Sequence, residues 1–390
     1  MSDSASVTLW NRQFILLNAA ICLAFANLAV FFQFYGYLRT LTIDPRWFGL
    51  IIGAFSATTL ILRPLISPLL RPDNSRRWVL IAATFVILSL LSYNFTDTFK
   101  GLMAVRVFHG AAHVVMATAL LALVVGFIPR RKSGQAFGAI SISTLLPYAL
   151  VPPLLLGLTR MMGSYPRVLA FFGLIMLFMV PLILSSGSRK RADEAVPRRE
   201  KISGGDVWAN LKDTRVCFLL LAMLLFFSGY ALVFFYLAGY GAKLGIIDAG
   251  LFFTLSTVGE IGVRLLAGSL FDKTNKAYLL AGALLFVALG YLALAHVPGR
   301  FAFFALGALL GLGWGVAMPA LNALLFDISE ERFRALNTNL GMEMFQGGFF
   351  IGPFIGGLIL ASHEFSSLFY LCAILSAAAA GAALYAATRS

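Results

Sequence analysis

Twelve apolar spans, each eighteen residues or longer, take up most of this chain. Their limits lie near 14–38, 47–70, 78–95, 101–127, 134–159 and 168–186, then 215–240, 249–271, 277–296, 301–326, 336–361 and 365–387. A hydrocarbon core about 30 Å thick needs about 20 residues of helix to cross it. Hydrocarbon offers no hydrogen-bond partner to the backbone, so a crossing segment must satisfy its own amides as a helix or close into a barrel. The runs are continuously apolar and do not alternate every second residue, which excludes barrel strands and predicts helices. Composition agrees: 60% of the 390 residues are hydrophobic and 12% are charged, against about 45–50% and about 25% in soluble domains. A soluble enzyme, a disordered chain and a nucleic-acid-binding module are excluded on this ground.

The net charge of +13 has a membrane explanation. If both ends of the chain face the cytoplasm, as an even number of spans requires them to share a side, 20 Lys and Arg residues fall on that side and seven on the other, with Arg63, Arg106 and Arg264 inside spans. Such an excess marks cytoplasmic loops. The expected product is a multi-pass protein of the inner (plasma) membrane with both termini cytoplasmic. Only Arg12 precedes the first run, and that run is longer than a signal h-region, so no cleaved secretory signal is expected. Cys22, Cys217 and Cys372 lie far apart in or beside apolar runs and predict no disulfide framework.

Short turn-like breaks separate most spans, among them Ile43-Asp44-Pro45 and His296-Val297-Pro298-Gly299. One longer polar stretch, 187–214, carries Arg189-Lys190-Arg191, Arg198-Arg199 and Lys201. It divides the chain into an N-terminal six-helix bundle (1–186), a cytoplasmic linker (187–214) and a C-terminal six-helix bundle (215–390). Within the linker, Asp206 to Lys212 is a candidate surface helix. The two halves repeat. Under one constant offset Gly49, Leu50, Arg63, Leu65, Leu69 and Asn74 fall on Gly250, Leu251, Arg264, Leu266, Leu270 and Asn275.

Several motifs carry a resemblance. After the eighth span stands Gly268-Ser-Leu-Phe-Asp272-Lys273-Thr-Asn-Lys276. The fourth span holds Arg106-Val-Phe-His109-Gly110. The tenth holds Gly311-Leu-Gly313-Trp-Gly315 through Pro319, followed by Glu331-Arg332-Phe-Arg334. In the eleventh, Gly348, Gly352 and Gly356 recur every four residues, one small-residue face for close helix packing. Together these resemble the major facilitator superfamily over nearly the whole chain. The first segment is similar to the family's G-x-L-x-D-[RK]-x-[GN]-[RK] loop, and the second to its R-x-x-x-G motif. The N-half copy of the loop departs: Ser67 stands for the first glycine and Arg71 for the aspartate. The fifth span, Ser141 to Pro153, keeps prolines but lacks the glycines of the family's drug antiporters.

The resemblance implies an all-α membrane protein with twelve transmembrane helices in two six-helix bundles, holding a small-molecule solute near the midplane between parallel repeats. It implies no enzyme, no cofactor, no metal and no nucleic acid, and Gly268, Asp272, Lys273 and Lys276 as a gating loop. No G-x-x-x-x-G-K-[ST] occurs, so an ion gradient, of protons, is the implied energy source. The closest sub-group is the bacterial sugar-efflux-like and multidrug-like permeases, which points to proton-coupled efflux by a monomer. A proton-coupled uptake symporter and a non-transporting lipid-handling or sensory protein on the same fold stay open.

Ionisable groups inside spans are costly and usually partnered or functional. Glu260 and Arg264, four residues apart, share a helix face and pair, or serve transport. Arg106 is a proton or anion group, or a packing arginine. Glu343 has no acidic or basic neighbour along its own span and is a coupling carboxylate or a structural acceptor. His109 and His113, also four apart, are relay, packing or, least favoured, metal groups, since two ligands rarely hold a metal. Asn27, Gln33 and Tyr35 on the first span, Tyr230, Tyr236 and Tyr240 on the seventh, and Gln346 on the eleventh are candidate cavity groups. Phe31-Phe32, Phe226-Phe227 and Phe234-Phe235 are candidate apolar lining for an amphipathic solute.

Overall fold

A computed structural model describes residues 9–128, 133–187, 204–266 and 274–388. Among these residues the chain is helical and contains no strand. Six helices precede the linker: α1 Arg12–Leu38, α2 Pro45–Leu69, α3 Asp73–Phe95, α4 Phe99–Val125, α5 Gln135–Met162 and α6 Tyr165–Ser185. Six follow it: α7 Thr214–Lys243, α8 Leu251–Leu266, α9 Lys276–Ala295, α10 Arg300–Ile328, α11 Glu331–Leu360 and α12 Phe365–Thr388. Eleven of these are long and apolar enough to cross a membrane. The remaining one, α8, is described over the 16 residues Leu251–Leu266. The expected twelve-helix, all-α membrane fold is the fold observed.

Sequence-encoded caps start the helices. Asn11 Oδ1 accepts from the Phe14 amide at 2.9 Å at the head of α1, and Thr98 Oγ1 accepts from Gly101 at 3.2 Å at the head of α4. The repeat-related Asn74 and Asn275 both serve helix starts but by different bonds, Asn74 reaching back from the first turn and Asn275 capping α9 itself. Asn74 Oδ1 accepts from the Arg71 amide at 2.9 Å, and Asn275 Oδ1 accepts from the Ala277 amide at 3.0 Å. Gly245 ends α7 with φ +72°, the left-handed conformation that residues with a Cβ avoid. Prolines sit inside helices at Pro64, Pro147, Pro152, Pro153, Pro319 and Pro353, tolerated because neighbouring helices and side chains supply partners for freed carbonyls. The Tyr236 hydroxyl donates to the Pro353 carbonyl at 2.6 Å and ties α7 to α11 beside one of these prolines.

The chain forms two compact units. The first holds residues 1–42 and 58–190; the second holds 43–57 and 191–390. In the first, α1 packs on α5, α6 and α4, and α3 packs on α4 and α6. In the second, α7 packs on α11, α12 and α10, and α9 packs on α10 and α12. The same pairing recurs in each, as an internal repeat requires. Residues 43–57, the opening of α2, group with the second unit because Gly49 lies against the backbone of α11: a Cβ on Gly357 would stand 2.7 Å from Gly49 Cα.

Glycine faces set the closest approaches. A Cβ on Gly348 would stand 2.6 Å from Phe227 Cβ, and one on Gly352 would stand 2.5 Å from Ser228 O, so the α11 stripe meets α7 backbone to backbone. On α10, a Cβ on Gly315 would stand 2.9 Å from Glu260 Cα. Outward surfaces stay apolar, with Phe85, Leu150, Leu174, Leu289 and Ile374 exposed, which suits hydrocarbon as the surrounding solvent. The linker helix read at Asp206 to Lys212 is present as Gly204–Leu211.

Candidate functional site

In the first unit the polar residues of α1 and α4 converge. Arg106, His109, Gly110 and His113 follow the three-and-four spacing of one helix face. Asn27 of α1 faces them. Asn27 and His109 are 0% exposed, Arg106 2% and His113 3%, so all four polar side chains are withdrawn from the surface. His109 Nε2 lies 2.7 Å from Asn27 Oδ1, and Asn27 Nδ2 lies 3.2 Å from His113 Nδ1. The same Nδ2 donates to the Ala24 carbonyl at 2.8 Å. One amide therefore bridges the two imidazoles. Thr59 of α2 reaches the Gly110 carbonyl at 3.5 Å.

Arg106 has an aromatic floor. Its guanidinium carbon sits 4.6 Å from the centroid of Phe31 and 5.2 Å from that of Phe34, an arrangement that stabilises a desolvated cation. Phe31 packs in turn on Tyr93 at 5.5 Å and on His109 at 5.5 Å between centroids. Phe31 lies in a 3-10 turn of α1 at Val30–Gln33, and Phe34 follows it directly. Tyr165 of α6 donates its hydroxyl to the Val30 carbonyl in that turn at 2.8 Å.

In the second unit Glu260 is 0% exposed, and Arg264 Nη2 stands 3.6 Å from its carboxylate. Arg264 also reaches Met318 Sδ at 3.8 Å. The two residues meet, as their spacing predicts. Gly315 leaves room for the Glu260 backbone. Near them is an aromatic group around Trp314, whose indole nitrogen donates to the Tyr291 hydroxyl at 3.1 Å. Tyr230 lies 4.6 Å from Trp314, Phe253 6.1 Å, and Phe349 6.0 Å from Tyr230.

The other expected residues are placed as follows. Tyr35 and Gln346 are buried and Gln33 is half-buried. Tyr236 is buried against Pro353, and Tyr240 donates to the Leu294 carbonyl at 2.8 Å; their hydroxyls are spent on backbone. Phe31, Phe32, Phe226, Phe227, Phe234 and Phe235 are all buried. Glu343 is half-buried and has a partner in the fold, so the isolation read from its own helix does not carry into three dimensions. Gly268, Asp272 and Lys273 lie outside the described residues. Lys276 pairs with Asp327 at 2.6 Å. Among the described residues no group of three or more His, Cys, Asp or Glu side chains gathers as for a metal.

Sequence reasoning missed Trp314 and Tyr291 as a hydrogen-bonded pair, Thr59 and Tyr93 as neighbours of the histidines, and Asn18, whose Oδ1 accepts from Ser143 at 2.9 Å between α1 and α5. Asn18 carried a signal, being an amide in the first apolar run. The aromatic partners carried none, since 36 phenylalanines hide which rings face inward.

Comparison with known proteins agrees with this architecture. The Major Facilitator Superfamily model matches residues 14–300 and 241–390. The multi-drug resistance efflux pump PmrA of Streptococcus pneumoniae is 23% identical over 344 residues, 84% of each chain. The quinolone resistance protein NorA of Staphylococcus aureus is 28% identical over 144 residues, 36% of this chain and 37% of its own. Crystal structures of the nucleoside transporter NupG superpose with a TM-score of 0.80 for a variant at 13% identity, covering 96% of this chain and 99% of that one, and 0.75 for NupG itself at 14%.

Proposed function

This chain belongs to the major facilitator superfamily, a family of membrane transporters and not of enzymes, and on that premise we propose that it exports an amphipathic organic solute in exchange for protons. It works by alternating access between six-helix bundles 1–186 and 215–390 joined by the linker 187–214. The observation that carries the reading is the buried set of Arg106, His109 and His113, whose two imidazoles Asn27 bridges. Titratable groups withdrawn into a span are expensive and are kept for ion or proton handling. No nucleotide-binding loop is present to supply another energy source. Similarity to PmrA along 84% of the chain supports outward direction and a broad solute class. Glu260 with Arg264, and Glu343, are further coupling candidates. Gln33, Tyr35, Tyr230 and Gln346 are candidate solute contacts, and Gly268, Asp272, Lys273 and Lys276 a gating loop. The protein acts as a monomer in the plasma membrane with both termini cytoplasmic.

Reconstituted protein tests this. Liposomes with an acidic lumen are offered a permanently charged fluorescent cation or a quinolone, with protein-free liposomes as control. Exchange for protons accumulates the solute in the acidic lumen. Accumulation only in liposomes with an alkaline lumen identifies an uptake symporter instead, and no flux of any solute under either gradient removes the transport reading of this site.

A further inference from the structure

The coupling role given to the buried histidines leaves open how many protons they hold and what moves when one arrives. An asparagine amide has one acceptor oxygen and one nitrogen with two donors. Both donors of Asn27 are placed, on the Ala24 carbonyl at 2.8 Å and on His113 Nδ1 at 3.2 Å. The carbonyl at Ala24 accepts only, so it fixes which end of the amide is nitrogen. Asn27 Oδ1 is then the acceptor facing His109 Nε2 at 2.7 Å. It follows that His109 carries its proton on Nε2, and that His113 presents a bare Nδ1 and carries its proton on Nε2.

We infer that Asn27 is a positioning residue that limits the His109–His113 pair to one proton and ties the route of that proton to the orientation of its amide. The inference rests on the transport reading above for its purpose, though not for its geometry. A proton added to His109 goes to Nδ1 and leaves the bridge intact. A proton added to His113 goes to Nδ1 and sets N–H against N–H. Only reversal of the amide relieves that clash. Reversal takes the donor away from Ala24 and requires His109 to shift its own proton from Nε2 to Nδ1. With both rings charged, two N–H groups converge on an amide that has one acceptor. Arg106 of α4 and Arg63 of α2 lie within electrostatic reach of the pair, so a second proton would assemble four positive charges. Tyr93 of α3 closes one side with its ring, and Tyr165 of α6 holds the Val30 carbonyl. One proton, moving between two rings, turns the amide that ties α1 to α4.

The test is 15N NMR of histidine-labelled full-length protein in lipid nanodiscs, followed from about pH 8 to about 3, a span that passes well below the range in which imidazoles ordinarily titrate. Signals are assigned with His296→Gln and His363→Gln. No transported solute is needed, so failed flux with these signals intact counts against the transport reading and not against the bridge. Wild type should show Nε2–H on both buried rings at the alkaline end and one imidazolium at the acid end. Asn27→Asp offers acceptors to both rings. It should move the His113 proton to Nδ1 and let both rings charge, doubling uptake from one proton to two. A wild-type His113 protonated on Nδ1 while neutral, both rings or neither charging in wild type, or an unchanged His113 tautomer in Asn27→Asp overturns the inference. If Asn27→Asp does not fold, the wild-type tautomers and proton count decide it alone.

Discussion

Arg106 shows how a single side chain is specified by its surroundings. The planar guanidinium lies over Phe31 and Phe34, a fit that an ammonium of the same charge does not reproduce. Arg106→Lys should therefore fold and insert but lose most transport, and Arg106→Ala should lose it entirely. Wild-type flux in the alanine variant would assign Arg106 to packing. Glu260 and Arg264 make a second test at this scale. Removing one member of a buried pair leaves an uncompensated charge, at a cost of about 3–5 kcal/mol in soluble proteins. Glu260→Gln and Arg264→Ala should each lower the melting temperature, and the double variant should lie above the sum of the two losses. Strict additivity would mean that the 3.6 Å approach carries no energy. Arg106, His109, His113, Glu260 and Arg264 were legible in the sequence because an ionisable residue stands out in an apolar run. Their partners were less so. Asn27 was visible as a polar residue, but its bridging role depends on α1 and α4 meeting in register, which no local pattern encodes.

At the scale of elements, helix limits were the most legible feature, because length, caps and glycines act locally. Asp213 heads α7 and accepts from the Arg215 amide at 2.9 Å. Its hydrogen bonds to the Arg215 side chain hold its carboxyl below the usual carboxylate range, against a smaller opposing effect of burial. A carboxyl lowered on folding stabilises the fold above its unfolded pKa, and that contribution disappears as pH falls through the lowered value. Asp213→Ala should cost about 1 kcal/mol at neutral pH, as loss of a helix cap does, and the difference from wild type should shrink on acidification. Thermal melts in detergent at neutral and acid pH measure this, and a difference that grows toward acid would contradict the capping account. The glycine stripe of α11 was readable as a packing face, and its partner is α7. The opening of α2 was not readable in this way. Its grouping with the second unit comes from Gly49 meeting α11, a long-range contact without a sequence period.

At the scale of the whole molecule, the positive charge sorts the loops. With both termini cytoplasmic, as proposed, twenty basic residues fall on that side against seven on the other, in keeping with the retention of short basic loops in the cytoplasm. A cysteine or tag introduced at residue 200 should be silent to a membrane-impermeant reagent in intact cells and react once the membrane is opened; labelling in intact cells would invert the topology. The twelve-helix plan and its internal repeat were open to reading because a bilayer imposes one length and one secondary structure on every span. Solute identity was not, since the proposed solute contacts stand among 36 phenylalanines that no local pattern sorts by position. In the proposed exchange, solute leaves as protons enter. Its most direct measurement uses liposomes containing the protein and a trapped pH-sensitive dye, with the solute loaded inside and diluted outside. Solute running outward should acidify the lumen, and Arg106→Ala should abolish that acidification. A lumen that stays at constant pH, or turns alkaline, while solute departs would contradict the account.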